Sequence, residues 1–250
     1  MAKKLVVGNW KLNPQTLPEA LTLAKATEKL AVKSKKVSLV VCPPYPFISA
    51  LQKITKISAL GSQNFSIEEK GSHTGEVALS MLTSCGVTYS LIGHSERRLR
   101  GETDEHVNAK IIRALTEGVR PIVCIGEKER NANGTHLTTI EQQLKAALHT
   151  VGEKDFGKII IAYEPVWAIG AASAMEPTDI HEMVMYIKKF LSTLYGKIAW
   201  ETPVLYGGSV GKENAESIFK IGNVDGLLIG RQSLSVESLA EIVSFAEKIK

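Results

Sequence analysis

Short apolar, β-branched runs recur along the chain: Leu5 to Val7, Val37 to Cys42, Ile57 to Leu60, Val87 to Ile92, Ile122 to Ile125, Ile159 to Tyr163, Val204 to Tyr206 and Leu227 to Ile229. As a set, these eight runs lack the apolar–polar alternation that marks a half-buried strand. Continuous apolar runs belong to strands covered on both faces, as in parallel sheets. Between them lie stretches of helical period at Leu17 to Leu30, Asp104 to Leu115, Thr138 to Leu148, Thr178 to Leu194 and Val236 to Ile249. Asp104, Thr178 and Ser235 stand ahead of helical patterns with an acidic residue close behind, which predicts them as N-caps. The order is strand then helix, repeated. Parallel neighbours need crossover connections, and eight β/α units of this length close into a (β/α)8 barrel with helices outside. The competing architecture is an open doubly wound sheet; a dinucleotide-binding version would carry G-x-G-x-x-G after the first strand, and the chain does not.

Composition narrows this only slightly. With 250 residues, 44% hydrophobic and 22% charged, the chain suits one compact core, and no segment reads as a linker, so residues 1–250 are expected to form a single domain. The start of the chain has too few consecutive apolar residues for a secretory signal or a membrane span, and a cytoplasmic protein is expected. Cys42, Cys85 and Cys124 have no C-x-x-C spacing and read as reduced, mostly buried thiols. A net charge of +4, with Lys3, Lys4 and Lys33 to Lys36 lacking interleaved aromatics, points to solvated surface rather than a nucleic-acid patch. The same small excess favours the approach of an anionic substrate. Asn133-Gly134-Thr135 matches a glycosylation acceptor but reads as an exposed turn.

The chemistry of a barrel gathers at the C-terminal ends of its strands. There the sequence turns polar: Gly8-Asn9-Trp10-Lys11 after the first run, Gly93-His94-Ser95-Glu96-Arg97-Arg98 after the fourth and Glu164-Pro165 after the sixth. The last two runs end in Gly207-Gly208-Ser209-Val210 and Gly230-Arg231-Gln232-Ser233. Lys11, His94 and Glu164 therefore face one mouth: a cation, an imidazole and a carboxylate able to move protons beside a carbonyl. Glycine-rich turns after the seventh and eighth strands expose backbone N–H groups, the usual place for phosphate in barrels. A phosphorylated carbonyl compound is the implied substrate. Each residue alone has a structural explanation: Lys11 as surface charge, Glu164 as a turn cap and His94 as a helix N-terminus. Their joint placement at three strand ends is what favours chemistry.

These segments, with Leu12-Asn13, Gln63-Asn64, Thr74-Gly75-Glu76, Cys124-Ile125-Gly126-Glu127 and Val166-Trp167-Ala168-Ile169-Gly170, resemble the triosephosphate isomerase family in order and over nearly the whole chain. The resemblance implies a TIM barrel that interconverts dihydroxyacetone phosphate and glyceraldehyde 3-phosphate through an enediolate, in glycolysis and gluconeogenesis, without cofactor or metal. It implies Glu164 as the base that shuttles the proton, His94 as electrophile and Lys11 as electrostatic stabiliser. Asn9 completes the oxyanion contacts and Glu96 supports them. Phosphate is expected on the backbone N–H groups of Gly170, Ser209, Gly230 and Arg231. The resemblance also implies a homodimer in which Thr74, on the loop Gly71 to Glu76, reaches the neighbouring subunit's site, with His73 where an aromatic is more usual.

Two departures bear on function. The lid after Glu164 usually reads Gly-Thr-Gly-Lys, and here it reads Gly170-Ala171-Ala172-Ser173. The last phosphate turn usually has a second small residue after Gly230, and here it has Arg231. Two other readings stand beside the isomerase. A metal-dependent epimerase or an aldolase is one, against which the histidines, at positions 73, 94, 106, 136, 149 and 181, lack metal-ligand spacing, and no Schiff-base lysine is evident on a central strand. A barrel impaired in catalysis and kept for binding or scaffolding is the other, motivated by the altered lid; intact Lys11, His94 and Glu164 weigh against it.

Overall fold

A computed structural model describes residues 3–131, 133–170 and 175–249. Eight strands, β1 (Lys4–Asn9), β2 (Val37–Cys42), β3 (Ala59–Ser62), β4 (Val87–Ile92), β5 (Arg120–Ile125), β6 (Ile160–Tyr163), β7 (Val204–Tyr206) and β8 (Gly226–Ile229), close into a barrel in chain order. Every neighbouring pair is parallel, and β1 completes the ring against β8 through Leu5↔Gly226 to Gly8↔Ile229. The longer helices outside are α1 (Leu17–Lys33), α5 (Asp104–Thr116), α6 (Thr135–Leu148), α8 (Pro177–Tyr195) and α10 (Val236–Lys248). Shorter ones are α2 (Tyr45–Leu51), α3 (Leu79–Ser84), α4 (Ser95–Arg98), α7 (Glu153–Phe156) and α9 (Ala215–Lys220). The fold is the (β/α)8 barrel that the strand–helix alternation predicts.

The absence of period-two patterning has its cause in two cores. Leu5, Val7, Val40, Cys42, Leu91, Ile122, Cys124, Ile160, Ala162, Leu205 and Leu228 pack together inside the barrel. Their strand neighbours Val6, Val41, Ile92, Val123, Ile161, Tyr206 and Leu227 belong to the larger cluster between strands and helices. Successive side chains point to opposite faces, so a strand apolar on both must read as a continuous run.

Two expectations need correction. The third apolar run begins at Ile57, but pairing starts only at Val40↔Ala59, and Ile57 is 65% exposed. The carboxylate of Glu28 accepts from the backbone N–H of Lys56 (3.0 Å), Ile57 (2.7 Å) and Ser58 (2.9 Å) and from Ser58 Oγ (2.5 Å), so those amides are satisfied outside the sheet. Among the caps, Ser235 accepts from Ser238 N as expected. Asp104 is instead the first helical residue of α5, where it pairs with Arg98 at 2.6 Å, and Thr103 is the cap, exchanging bonds with His106. Thr178 lies inside α8, which opens at Pro177 and has no side-chain cap. Proline at N1 has no amide N–H to satisfy, so a cap there matters less. Gly134 at φ +72 forms the turn into α6, and Asn133 is exposed. The cysteines are free thiols, with Cys42 and Cys124 buried and Cys85 partly so.

Candidate active site

At the C-terminal end of the barrel a cavity of about 280 Å³ is lined by Asn9, Lys11, His94, Glu164, Gly170, Ser209, Gly230 and Arg231, together with Gly207, Gly208 and Gln232 among others. The residues expected from the strand ends therefore converge, although they come from five separate β-to-α turns. Glu96 is the exception: it lies outside this lining and touches the site through Lys11.

Glu164 follows β6 and is 3% exposed. Its backbone N–H donates to Ile125 O at 2.8 Å, continuing the β5–β6 ladder by one residue. Two glycines make room for it. A Cβ at Gly126 would sit 1.8 Å from Glu164 O, and one at Gly207 would sit 2.7 Å from Glu164 Cγ. Oε1 lies 3.4 Å from His94 Nε2, while Oε2 is buried with no hydrogen-bond partner among the described residues. An oxygen in that position lacks the compensating hydrogen bond that burial of a polar group calls for. Behind it, burial first and the neighbouring Glu164 charge second push the Cys124 thiol well above its usual range, so the sulfur stays protonated.

His94 is 5% exposed and caps the short helix α4, its Nδ1 accepting from Glu96 N at 3.2 Å. That bond places the ring proton of the neutral imidazole on Nε2, facing the cavity and Glu164. The preceding Gly93 has φ +76, and both of its backbone groups are held: its N–H donates to Glu102 Oε2 (3.1 Å) and its carbonyl accepts from Arg98 Nε (2.8 Å). Glu102 in turn is paired with Lys110 in a buried bridge, and Lys110 also donates to Asn64 Oδ1 at 2.6 Å. A chain of charge-assisted bonds thus fixes the turn that presents the imidazole.

Lys11 adopts φ +52, a left-handed conformation uncommon outside glycine. It is held there from both sides. Its N–H donates to Asn9 Oδ1 at 3.0 Å, and its carbonyl accepts from Gln63 Nε2 at 2.9 Å, the same amide that donates to Cys42 O at 2.9 Å. Such strain, of order 1–3 kcal/mol, persists where surrounding structure over-determines it, and it commonly marks function. Lys11 Nζ meets Glu96 Oε1 at 2.5 Å. Partial burial raises the Glu96 carboxyl, but the hydrogen bond and charge of Lys11 outweigh it and hold the group below the usual glutamate range.

The glycine-rich turns are clamped by side chains. Ser233 donates to Gly230 O twice, from N at 2.9 Å and from Oγ at 2.7 Å. Because the peptide is trans, the Arg231 N–H points the opposite way, and a first-turn amide of the 3₁₀ helix Arg231–Leu234 has no partner within that helix. After β7, Asn214 donates to Ser209 O and accepts from Gly211 N, both at 2.9 Å, bracing the other turn. Convergent amide N–H groups of this kind receive anions.

A model of the triosephosphate isomerase family matches residues 4–246. The chain belongs to the triosephosphate isomerase family. It is 40% identical over 250 residues to the triosephosphate isomerase of Caldanaerobacter subterraneus subsp. tengcongensis, covering 98% of this chain and 100% of that one. It is 39% identical to the enzyme of Natranaerobius thermophilus over 251 residues (99% and 98%), and 39% to that of Aquifex aeolicus over 245 (96% and 98%). The chain is an isomerase that interconverts dihydroxyacetone phosphate and glyceraldehyde 3-phosphate, a step of glycolysis.

The atypical lid residues Ala171, Ala172 and Ser173 lie outside the described residues. Both flanks of that segment are anchored by groups whose roles the strand-end reading left unassigned. Glu127, 1% exposed, accepts at Oε1 from Tyr163 Oη (2.9 Å), Trp167 Nε1 (2.9 Å) and Arg130 Nε (3.1 Å). On the far side, Met175 N donates to Tyr206 Oη at 3.3 Å. Gln63, Ser233 and Asn214 were likewise unassigned; the available signal was their place within or just beyond the polar strand-end segments. Among the described residues no group of three His, Cys, Asp or Glu side chains is placed to hold a metal ion. Likewise, no described helix is long and apolar enough to cross a membrane.

Proposed function

We propose that Glu164 is the carbon base of the isomerisation, with His94, Lys11 and Asn9 stabilising the oxygen charge that develops. The observation that carries this reading is the buried Glu164 carboxylate, with Oε2 unpaired among the described residues and Oε1 3.4 Å from His94 Nε2 in the cavity that Lys11 also lines. The carboxylate removes a proton from C1 of dihydroxyacetone phosphate, the C1–H electrons become the C1–C2 double bond, and the carbonyl oxygen takes up the charge as an enediolate. His94 Nε2–H and the Lys11 ammonium stabilise that oxygen. His94 gives its Nε2 proton to the C2 oxygen and recovers one from the C1 hydroxyl, and reprotonation at C2 by the Glu164 carboxylic acid then gives glyceraldehyde 3-phosphate and returns the base. Glu96 acts by positioning Lys11. The backbone N–H groups of Gly170, Ser209, Gly230 and Arg231 hold the phosphate, which binds the substrate remotely from the reacting carbons.

The active unit is a homodimer. Residues 71–76 are all exposed, and their arm closes on itself at its base through Ser66 N to Val77 O (2.8 Å) and the Ser66↔Ala78 bridge. A second hollow of about 380 Å³, lined by Leu12, Tyr45, Asn64, Glu96 and Arg97 among others, adjoins Lys11 and suits the Thr74 tip of a second copy. The whole chain serves as one catalytic domain, and a cytoplasmic location, with roles extending to gluconeogenesis and the pentose phosphate pathway, goes with this reading.

Glu164→Gln tests the assignment of the base. It keeps the shape of the side chain and removes its basicity, so kcat falls by several powers of ten while inhibition by inorganic phosphate changes little. Undiminished turnover in enzyme purified free of host isomerase would refute it.

A further inference from the structure

The charges around the cavity do not suit a dianionic substrate until Arg231 is counted. Of the charged residues that line it, Lys11 is matched by Glu96 at 2.5 Å, and Glu164 contributes a buried negative charge. Arg231 lines the same cavity, is exposed, and has no hydrogen bond or ion pair among the described residues. It follows Gly230, where a Cβ would lie 3.5 Å from Lys11 Cε, so the lysine stem passes over the same turn. No left-handed φ occurs at Arg231, so the turn accepts a side chain without backbone strain. The phosphate turn therefore offers a guanidinium as well as its backbone amides.

We propose that the Arg231 side chain is a specificity-determining group for the phosphodianion, adding a charged contact to the amide cradle and offsetting the repulsion between Glu164 and the incoming dianion. This rests on the placement of the phosphate at the Ser209 and Gly230 turns. A guanidinium meets phosphate oxygens with paired, charge-assisted N–H donors, and its exposure lets it act on substrate approaching from solvent. Its stem is long and free of polar partners among the described residues, so a bound substrate can set its geometry. The group acts on binding and capture; the proton transfers belong to Glu164.

The test uses the full-length enzyme with Arg231→Gln and Arg231→Lys, both of which retain the backbone amide. Steady-state kinetics with glyceraldehyde 3-phosphate and with D-glyceraldehyde, which lacks the phosphate, are compared alongside inhibition by inorganic phosphate. Arg231→Gln is expected to raise KM for glyceraldehyde 3-phosphate and Ki for phosphate about tenfold each, about 1.4 kcal/mol. The loss in kcat/KM with the phosphorylated substrate should exceed that with D-glyceraldehyde at least fivefold. The dependence of kcat/KM on ionic strength should become shallower, and Arg231→Lys should recover part of the affinity but not all of it. Equal losses on both substrates, or unchanged phosphate inhibition and salt dependence, would overturn the proposal and leave Arg231 a backbone donor only. Glu164→Gln separates the two readings: if that variant is inactive and Arg231→Gln behaves as the parent, the catalytic assignment stands and the side-chain role falls.

Discussion

Gly207 is where the geometry of the base can be disturbed without touching the base itself. A methyl group there would lie 2.7 Å from Glu164 Cγ and 3.1 Å from Oε1, against an ordinary carbon–carbon separation of about 3.5–4.0 Å. The overlap is about 1 Å. Gly207 does not occupy the left-handed region and its N–H remains bonded to Tyr163 O at 2.8 Å, so alanine meets no backbone penalty. The Glu164 side chain must therefore give way, rotating its carboxylate by roughly the overlap. A misplacement of about 1 Å in a reacting group costs on the order of 100-fold in rate, whereas overpacking of a buried site costs about 1–3 kcal/mol of stability. Gly207→Ala is thus expected to remain folded while kcat/KM for glyceraldehyde 3-phosphate falls about 100-fold. Thermal unfolding, inhibition by inorganic phosphate and steady-state kinetics check the three parts. Because the effect runs through one carboxylate, introducing Gly207→Ala into a Glu164→Gln background should cost little further activity. A folded Gly207→Ala enzyme with kcat/KM within threefold of the parent would refute the reasoning.

Two further perturbations probe the frame around the site. Gln63→Leu removes both bonds from the Gln63 amide, to Lys11 O and Cys42 O, at about 1 kcal/mol each, and releases the left-handed Lys11. The melting temperature should drop and kcat/KM fall about tenfold, and a variant that melts lower with unaltered kcat/KM would show that Gln63 supports the fold alone. Glu28 tests pH dependence: burial raises its carboxyl, but hydrogen bonds from Ser58 and from the backbone of residues 56–58 outweigh it and hold it below the ordinary value of 4.5. A group depressed in the folded state contributes stability above its unfolded pKa and loses it as pH falls through the folded one. Glu28→Gln should therefore be less stable than the parent near neutrality, with the gap closing below about pH 4.5, as read by urea unfolding across pH; a gap constant down to pH 3 would rule this out.

Much of the site was legible because a parallel barrel brings the ends of its strands to one face. Once Leu5 to Val7, Val87 to Ile92 and Ile159 to Tyr163 are read as strands, Asn9, Lys11, His94 and Glu164 follow at their ends, and all line one cavity. Local periodicity was a weaker guide to short elements. The helices Tyr45–Leu51, Leu79–Ser84 and Ala215–Lys220 run two turns or less, too few for a 3.6-residue pattern to stand out. The N-terminal limit of the third strand was illegible for another reason. Ile57 has the right chemistry for a strand, but Glu28, far away in sequence, takes the amide bonds that would have joined the ladder.

What the sequence alone determined is therefore the alternation of elements, the barrel it closes and the identity of the groups at its mouth, because these follow from periodicity and from residue type. Tertiary structure alone decided how those groups are held and balanced. The left-handed Lys11 depends on an amide from Gln63, the imidazole on a Glu102–Lys110 pair behind Gly93, and the room for Glu164 on glycines at positions 126 and 207. Whether Arg231 stands without a partner among the described residues, beside a lysine already matched by Glu96, is likewise a matter of distance between turns that the chain separates. Hydrophobic patterning is periodic along the chain and can be read from it, whereas hydrogen-bond and charge partners are set by contacts between distant segments, which exist only once the barrel has closed.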